Sequence, residues 1–157
     1  MTTTADAHSP RPRIRPARPG DLLHVHQLER RCFPQPWPFE AFGRHLDAPA
    51  FLVAEVDGHI VGYVVGDRAP GFPGPVGHIK DVAVHPEYRR QGIARDLLSS
   101  ALQRLAEDGV VRTNLEVRAG NEAAISLYRS LGFTPWRTRE GYYPDGEAAL
   151  VMTHQFD

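Results

Sequence analysis

The stretch Val82-Ala83-Val84-His85-Pro86-Glu87-Tyr88-Arg89-Arg90-Gln91-Gly92-Ile93-Ala94-Arg95 constrains the fold more than any other part of the chain. It reads as an apolar strand stopped by a proline, a turn carrying two arginines, and a glycine that opens a long helix. Over 91–107 the apolar residues fall at Ile93, Ala94, Leu97, Leu98, Ala101, Leu102 and Leu105, one stripe of helical period. A helix N-terminus at the end of a buried strand is an anion site, because its first backbone N–H groups lack partners and its dipole favours negative charge. Gly92 and Ala94 leave room for a phosphate to approach the backbone, and Arg89, Arg90 and Arg95 can add charge-assisted bonds. The spacing is neither the dinucleotide GxGxxG nor a P-loop, since no Gly-Lys-Ser/Thr follows. Taken alone, a solvated arginine cluster beside a helix-start glycine accounts for the segment as well.

The rest of the chain alternates strands, hairpins and helices. Residues 1–12 are rich in Thr, Ala and Pro and read as a disordered tail, which leaves 13–157 as one domain. Ile14 and Arg15 open a short strand, and Leu22, Val25, Leu28 and Cys32 lie at near-helical spacing after Gly20-Asp21. Phe33-Pro34-Gln35-Pro36-Trp37-Pro38 interrupts regular structure three times, and a second short helix is expected over 39–46. Strands over 51–56 and 59–65 flank Asp57-Gly58, a strong hairpin signal. Further strands are expected over 77–84, 111–118, 133–138 and 148–154, with a helix over 122–131 capped by Asn121 and stopped by Gly132. Hairpins mixed with strand–helix units predict a single-domain α/β fold around a mixed sheet.

Composition narrows the function. With 157 residues, 41% apolar and 24% charged, the chain has the make-up of one ordinary globular domain. A net charge of −1 argues against a general nucleic-acid or membrane-surface role, and no apolar run is long enough to span a bilayer. No signal peptide is visible, and the single cysteine, Cys32, fits a reducing cytoplasm. The eight histidines are scattered without HExxH or CxxC spacing, so no metal is expected.

A second constellation is Leu115-Glu116-Val117-Arg118-Ala119-Gly120-Asn121, followed by Tyr128 in Leu127-Tyr128-Arg129-Ser130-Leu131-Gly132-Phe133. On the strand, Thr113, Leu115 and Val117 share one face, and Asn114, Glu116 and Arg118 the other. A polar face in mid-sheet looks into a wet cleft. Each residue also has a plain reading: Tyr128 as a core tyrosine with a satisfied hydroxyl, Glu116 as an arginine-paired surface carboxylate.

Together these segments resemble the GNAT family of N-acetyltransferases. Arg89-Arg90-Gln91-Gly92-Ile93-Ala94 is similar to its Arg/Gln-x-x-Gly-x-Gly/Ala pyrophosphate loop, with Ala94 where many members have glycine. The Leu-Glu-Val-Arg…Asn…Leu-Tyr-x-x-Leu-Gly-Phe pattern and Gly141-Tyr142-Tyr143-Pro144-Asp145-Gly146 resemble the RimI-type branch, bacterial enzymes that acetylate the N-terminal alanine of a ribosomal protein. The resemblance implies two splayed strands with acetyl-CoA as cosubstrate, Val82, Ala83 and Val84 along its pantetheine arm, and residues 90–95 at its pyrophosphate with Arg89 beside them. It implies Glu116 as base, Asn121 as a cofactor contact and Tyr128 as acid. Trp37, Tyr142 and Tyr143 are expected to wall the groove for a protein or peptide N-terminus. His78, four residues before Val82, is a rival for the base.

The chemistry suits these residue types. An α-ammonium has a pKa near ~8, so a carboxylate need only remove one proton, and a tyrosine hydroxyl can protonate a thiolate leaving group. The reading is therefore acetyl transfer to an N-terminal amine, directly within a ternary complex, and the resemblance implies an Ala- or Ser-like first residue. Cys32 lacks a paired histidine motif and is not expected to carry the acetyl group. Two alternatives stand beside it: acetylation of a small-molecule amine, and a silent acetyl-CoA-binding module, which would need neither Glu116 nor Tyr128.

Overall fold

The computed structural model describes residues 11–156. Most of the tail, 1–10, lies outside them. Seven strands form one sheet: β1 (Arg13–Pro16), β2 (Ala50–Val56), β3 (His59–Ala69), β4 (Val76–Val84), β5 (Arg112–Arg118), β6 (Thr134–Arg139) and β7 (Ala149–Gln155). Their order is β1-β2-β3-β4-β5-β7-β6, antiparallel except for the parallel pair β4–β5. The mixed α/β architecture expected from the sequence is thus present. Among the described residues, no helix is long and apolar enough to cross a membrane.

Helices cover both faces. α3 (Ile93–Glu107) and α4 (Glu122–Ser130) pack on one. There the stripe Ile93, Leu97, Leu98, Ala101, Leu102 and Leu105 is buried against Leu52, Val64 and Ile79. α1 (Leu22–Cys32) and α2 (Phe39–Gly43) cover the other, where Leu22, Val25, Leu28 and Phe42 meet Phe51, Val53, Tyr63, Val65 and Ala83. α2 stops three residues short of the expected 39–46 helix, because the segment after Gly43 continues only as turns closed by His45 N–H to Phe42 O and Leu46 N–H to Gly43 O. The Asp57-Gly58 turn has φ of 50° and 80°, both left-handed, which suits a two-residue hairpin.

Two irregularities position the site. β4 and β5 pair only through Val76–Arg112, Gly77–Thr113 and His78–Asn114, although both strands run on to Val84 and Arg118. Beyond His78 they part. In addition, β3 Val65 pairs with Asp81 and the next residue, Gly66, with Ile79, which leaves Lys80 as an extra residue in β4. This bulge breaks the two-residue alternation. Ile79, Val82 and Val84 belong to the core under α3, whereas Ala83 belongs to the core under α1 and Asp81 turns its carboxyl to Tyr63 on that same face.

Candidate active site

The gap between β4 and β5 opens into a cleft of about 600 Å³. Val82, Ala83 and Val84 form one wall, Glu116 and Arg118 the opposite one, and Asn121, Ala124, Leu127 and Tyr128 of the α4 region the back. Phe33, Pro34 and Trp37, after α1, close one side together with Tyr143. A smaller hollow of about 210 Å³ lies past Val84 and is lined by Arg89, Arg90, Gly92, Ile93, Ala94 and Arg95. Val84, Arg89, Ala94 and Leu127 line both, so the two spaces are continuous.

At the hollow, Gly92 caps α3 with φ of 82°, and a Cβ built there would meet no atom within 4 Å. Arg90 is also left-handed, with φ of 65°. Arg89 turns back: its Nε donates to Val84 O at 3.1 Å, and its Nη2 lies 3.6 Å from Cys32 Sγ. Arg95 Nη2 donates to Ser130 Oγ at 2.7 Å, which joins α3 to α4. Gln91 lines neither space. The free helix amides and the open Gly92 suit a phosphate-bearing ligand.

Glu116 and His78 meet at 2.6 Å between Oε1 and Nε2. The parallel pairing of His78 with Asn114 sets this contact, since Glu116 follows two residues later on the same face of β5. That hydrogen bond holds the Glu116 carboxyl below its usual range, against the opposing effect of burial. A carboxylate only accepts, so the imidazole Nε2 carries the proton and donates it. The plain reading of Glu116 as an arginine-paired surface carboxylate is therefore replaced by a histidine pair at the cleft.

Tyr128 is buried, packs edge-on against Phe133 with ring centroids 5.9 Å apart, and lines the cleft. Burial pushes its hydroxyl up to about 12, so it stays protonated at neutral pH. Asn121 caps α4, its Oδ1 accepting from Ala124 N–H at 3.2 Å, and also faces the cleft. The two adjacent tyrosines part company. Tyr143 lines the cleft, while Tyr142 is not among its lining residues, is 43% exposed and sits edge-on to Tyr143 at 4.9 Å. Arg118 holds this loop, bonding Asp145 and Glu147 at 2.9 Å and lying 4.1 Å over the Tyr143 ring.

The chain matches the sequence profile of the Acetyltransferase (GNAT) family over residues 22–133. It belongs to that family. Among GNAT relatives, an N-alpha-acetyltransferase of Sulfurisphaera tokodaii is 37% identical over 151 residues, covering 89% of this chain and 90% of that protein. The ribosomal protein bS18-alanine N-acetyltransferase of Escherichia coli is 36% identical over 140 residues, 84% of this chain and 89% of that protein. The crystal structure of the Escherichia coli ribosomal-protein-alanine N-acetyltransferase superimposes with a TM-score of 0.79 at 31% identity, covering 92% of this chain and 93% of that one. This GNAT chain is thus an acetyltransferase, with the fold expected from its sequence.

The sequence reading missed one group, on the α1 side of the cleft. Glu29 is 2% exposed, accepts from Trp37 N–H at 2.9 Å and from the Tyr63 hydroxyl through a short hydrogen bond. The Tyr63 hydroxyl lies 3.5 Å from Asp81 Oδ2, and both Glu29 and Asp81 line the cleft. The available signal was a glutamate directly beside the apolar stripe of α1, next to Leu28, where a solvated face was not to be expected.

Proposed function

We propose that the protein transfers the acetyl group of acetyl-CoA to the N-terminal α-amine of a protein or peptide whose first residue resembles alanine or serine. The observation that carries this reading is the joining of a phosphate-suited helix N-terminus to a cleft that holds Glu116 and Tyr128 and is walled by Trp37 and Tyr143. A ribosomal protein is the acceptor class that the relatives' names favour. A single free thiol, Cys32, fits a cytoplasmic setting.

In this reading the pyrophosphate rests on the amides after Gly92, aided by Arg90 and Arg95, and residues 82–84 present backbone to the pantetheine arm. Transfer is direct, within a ternary complex. Moving a proton from a free α-ammonium to an ordinary glutamate is uphill by roughly 5 kcal/mol, from pKa values near ~8 and ~4.3. Glu116, held lower still, is the weaker base, so its proton transfer belongs with C–N bond formation, when the attached nitrogen becomes strongly acidic. Its His78 bond keeps it ionised and oriented. Tyr128, protonated at neutral pH, supplies the proton to the departing sulfur. A backbone N–H near Val84 is the donor to the thioester oxygen.

The test is mass spectrometry on a panel of peptides incubated with protein and acetyl-CoA. Free Ala- and Ser-initiated peptides are expected to gain one acetyl group at the N-terminus. Faster turnover of an N-terminally blocked lysine peptide, or of spermidine, would overturn the assignment and favour the small-amine alternative.

A further inference from the structure

We propose that Asp81 selects the first side chain of the acceptor, giving the cleft a preference for a small hydroxyl-bearing residue over an apolar residue of the same size. The inference rests on the N-terminal reading above, and three observations carry it.

The first is the bulge at Lys80. With regular alternation Asp81 would share the face of Ile79 and point into the apolar core under α3. The extra residue turns it instead to the α1 face, beside Ala83. Bulges next to active sites re-aim side chains in this way.

The second is how Asp81 is held. Its carboxyl faces the Tyr63 hydroxyl, Tyr63 donates to the buried Glu29, and Glu29 accepts the backbone N–H of Trp37. A hydrogen-bonded chain thus runs from Asp81 to the aromatic wall of the cleft. Such a chain is costly to bury and fixes one side-chain position. Burial, with Glu29 beside it, drives the Asp81 carboxyl far above the usual carboxylate range, so it keeps its proton at neutral pH and can both give and accept a hydrogen bond.

The third is position. An attacking amine must come within about 3–3.5 Å of the thioester carbon. If residues 82–84 carry the pantetheine arm, the first Cα of the acceptor, one bond from that amine, lies against this part of β4. The α3 and α4 face belongs to the cosubstrate, so the first side chain faces α1. There β4 offers two side chains, Ala83 and Asp81. Ala83 is a methyl group that leaves space, and Asp81 is the polar one. A site built to hydrogen-bond a substrate hydroxyl discriminates strongly against the analogue that lacks it, because its own polar group is then left unpaired.

The experiment compares kcat/KM on four peptides that differ only at the first residue: Ser against Ala, and Thr against Val. Acetyl-CoA affinity by calorimetry reports whether each variant is folded. The wild type is expected to favour the hydroxyl member of each pair by about tenfold or more, the effect of leaving one buried polar group unpaired. Asp81→Ala should bring both ratios close to one. Asp81→Asn, which retains a donor and an acceptor, should largely keep them. Tyr63→Phe, which frees Asp81 without altering a cleft-lining residue, should narrow them, and it decides the matter if Asp81→Ala fails to bind acetyl-CoA. Wild-type ratios near one, ratios that survive Asp81→Ala or Tyr63→Phe in folded protein, or a loss in Asp81→Asn equal to that in Asp81→Ala would each overturn the assignment. A wild type that acetylates none of the peptides would remove the N-terminal reading and this one with it. Robust acetylation with unchanged ratios in the variants removes Asp81 alone.

Discussion

The 2.6 Å contact between His78 and Glu116 makes a quantitative prediction about two residues that the sequence alone set up as rivals. If one of them were the base and the other a bystander, one variant would be inactive and the other normal. If they stabilised the same transition state independently, losses would multiply. In the structure, His78 donates to Glu116 and depresses its pKa, so Glu116→Gln removes the charge that His78 orients, and His78→Ala removes the orientation. Each single variant should lower kcat/KM by about 10², or about 2.7 kcal/mol. The double variant should fall close to the worse single one, not to the product of about 10⁴, or about 5.4 kcal/mol, that independent roles require. Steady-state rates of thiol release with an Ala-initiated peptide measure all four corners of the cycle. A double variant at the multiplied value would refute the coupling, and a normal Glu116→Gln beside an inactive His78→Ala would make His78 the base. The pH dependence has a definite sign. Glu116 has a lowered pKa in the folded protein, so it stays ionised throughout the neutral range. The stability its pairing supplies is present above the ordinary glutamate pKa and is lost only as pH falls through the depressed one. A rise in kcat/KM between about pH 6 and 8 therefore does not come from Glu116 and should follow the acceptor's amine pKa when peptides of different amine basicity are compared.

Tyr128→Phe keeps the packing against Phe133 and should reduce kcat at least tenfold with acetyl-CoA affinity little changed, as calorimetry and rates together will show. Gly92→Leu should abolish acetyl-CoA binding; because φ there is 82°, it should also cost about 1–2 kcal/mol in urea unfolding, and unchanged affinity would dismiss the loop assignment. Arg118→Gln should raise the acceptor's KM while leaving acetyl-CoA affinity alone, since it releases the loop that carries Tyr143. Phe133→Ala, at a site only 1% exposed, should cost about 3–5 kcal/mol, measurable as a lower denaturation midpoint at unchanged slope.

The helix after Gly92 and the Asp57-Gly58 hairpin were legible because each rests on a local rule: a stripe of period 3.6 and a turn that needs two left-handed residues. Glu116, Asn121 and Tyr128 were legible as a pattern, and the structure places all three around one cleft. What was not legible depends on long-range register. Nothing near Lys80 announces an extra residue, because the bulge exists only relative to β3. The Glu29–Tyr63–Asp81 chain joins a helix and two strands whose contact no local pattern encodes. The two tyrosines at 142 and 143 looked equivalent in sequence; the turn closed by Gly146 N–H to Tyr143 O and Tyr143 N–H to Glu147 O, with Arg118 over Tyr143 and Arg139 near Tyr142, separates their environments.

The three-residue pairing of β4 with β5 gives this sheet four edges instead of two. β1 and β6 bound it on the outside, and the inner flanks of β4 beyond His78 and of β5 beyond Asn114 bound it within. Unpaired strand flanks invite another backbone, which is a hazard on an open surface. Here helices and loops surround the inner pair, so a thin extended chain can reach it and a second protein's sheet cannot. Main-chain amides and carbonyls on such a flank supply affinity whatever side chains the ligand carries, and selection is left to the side chains around it. In the function proposed above acetyl-CoA completes the sheet along this flank, and hydrogen exchange tests it: those amides of residues 79–84 that face away from β3 should slow on addition of acetyl-CoA, while those of β2, paired on both sides, should not change.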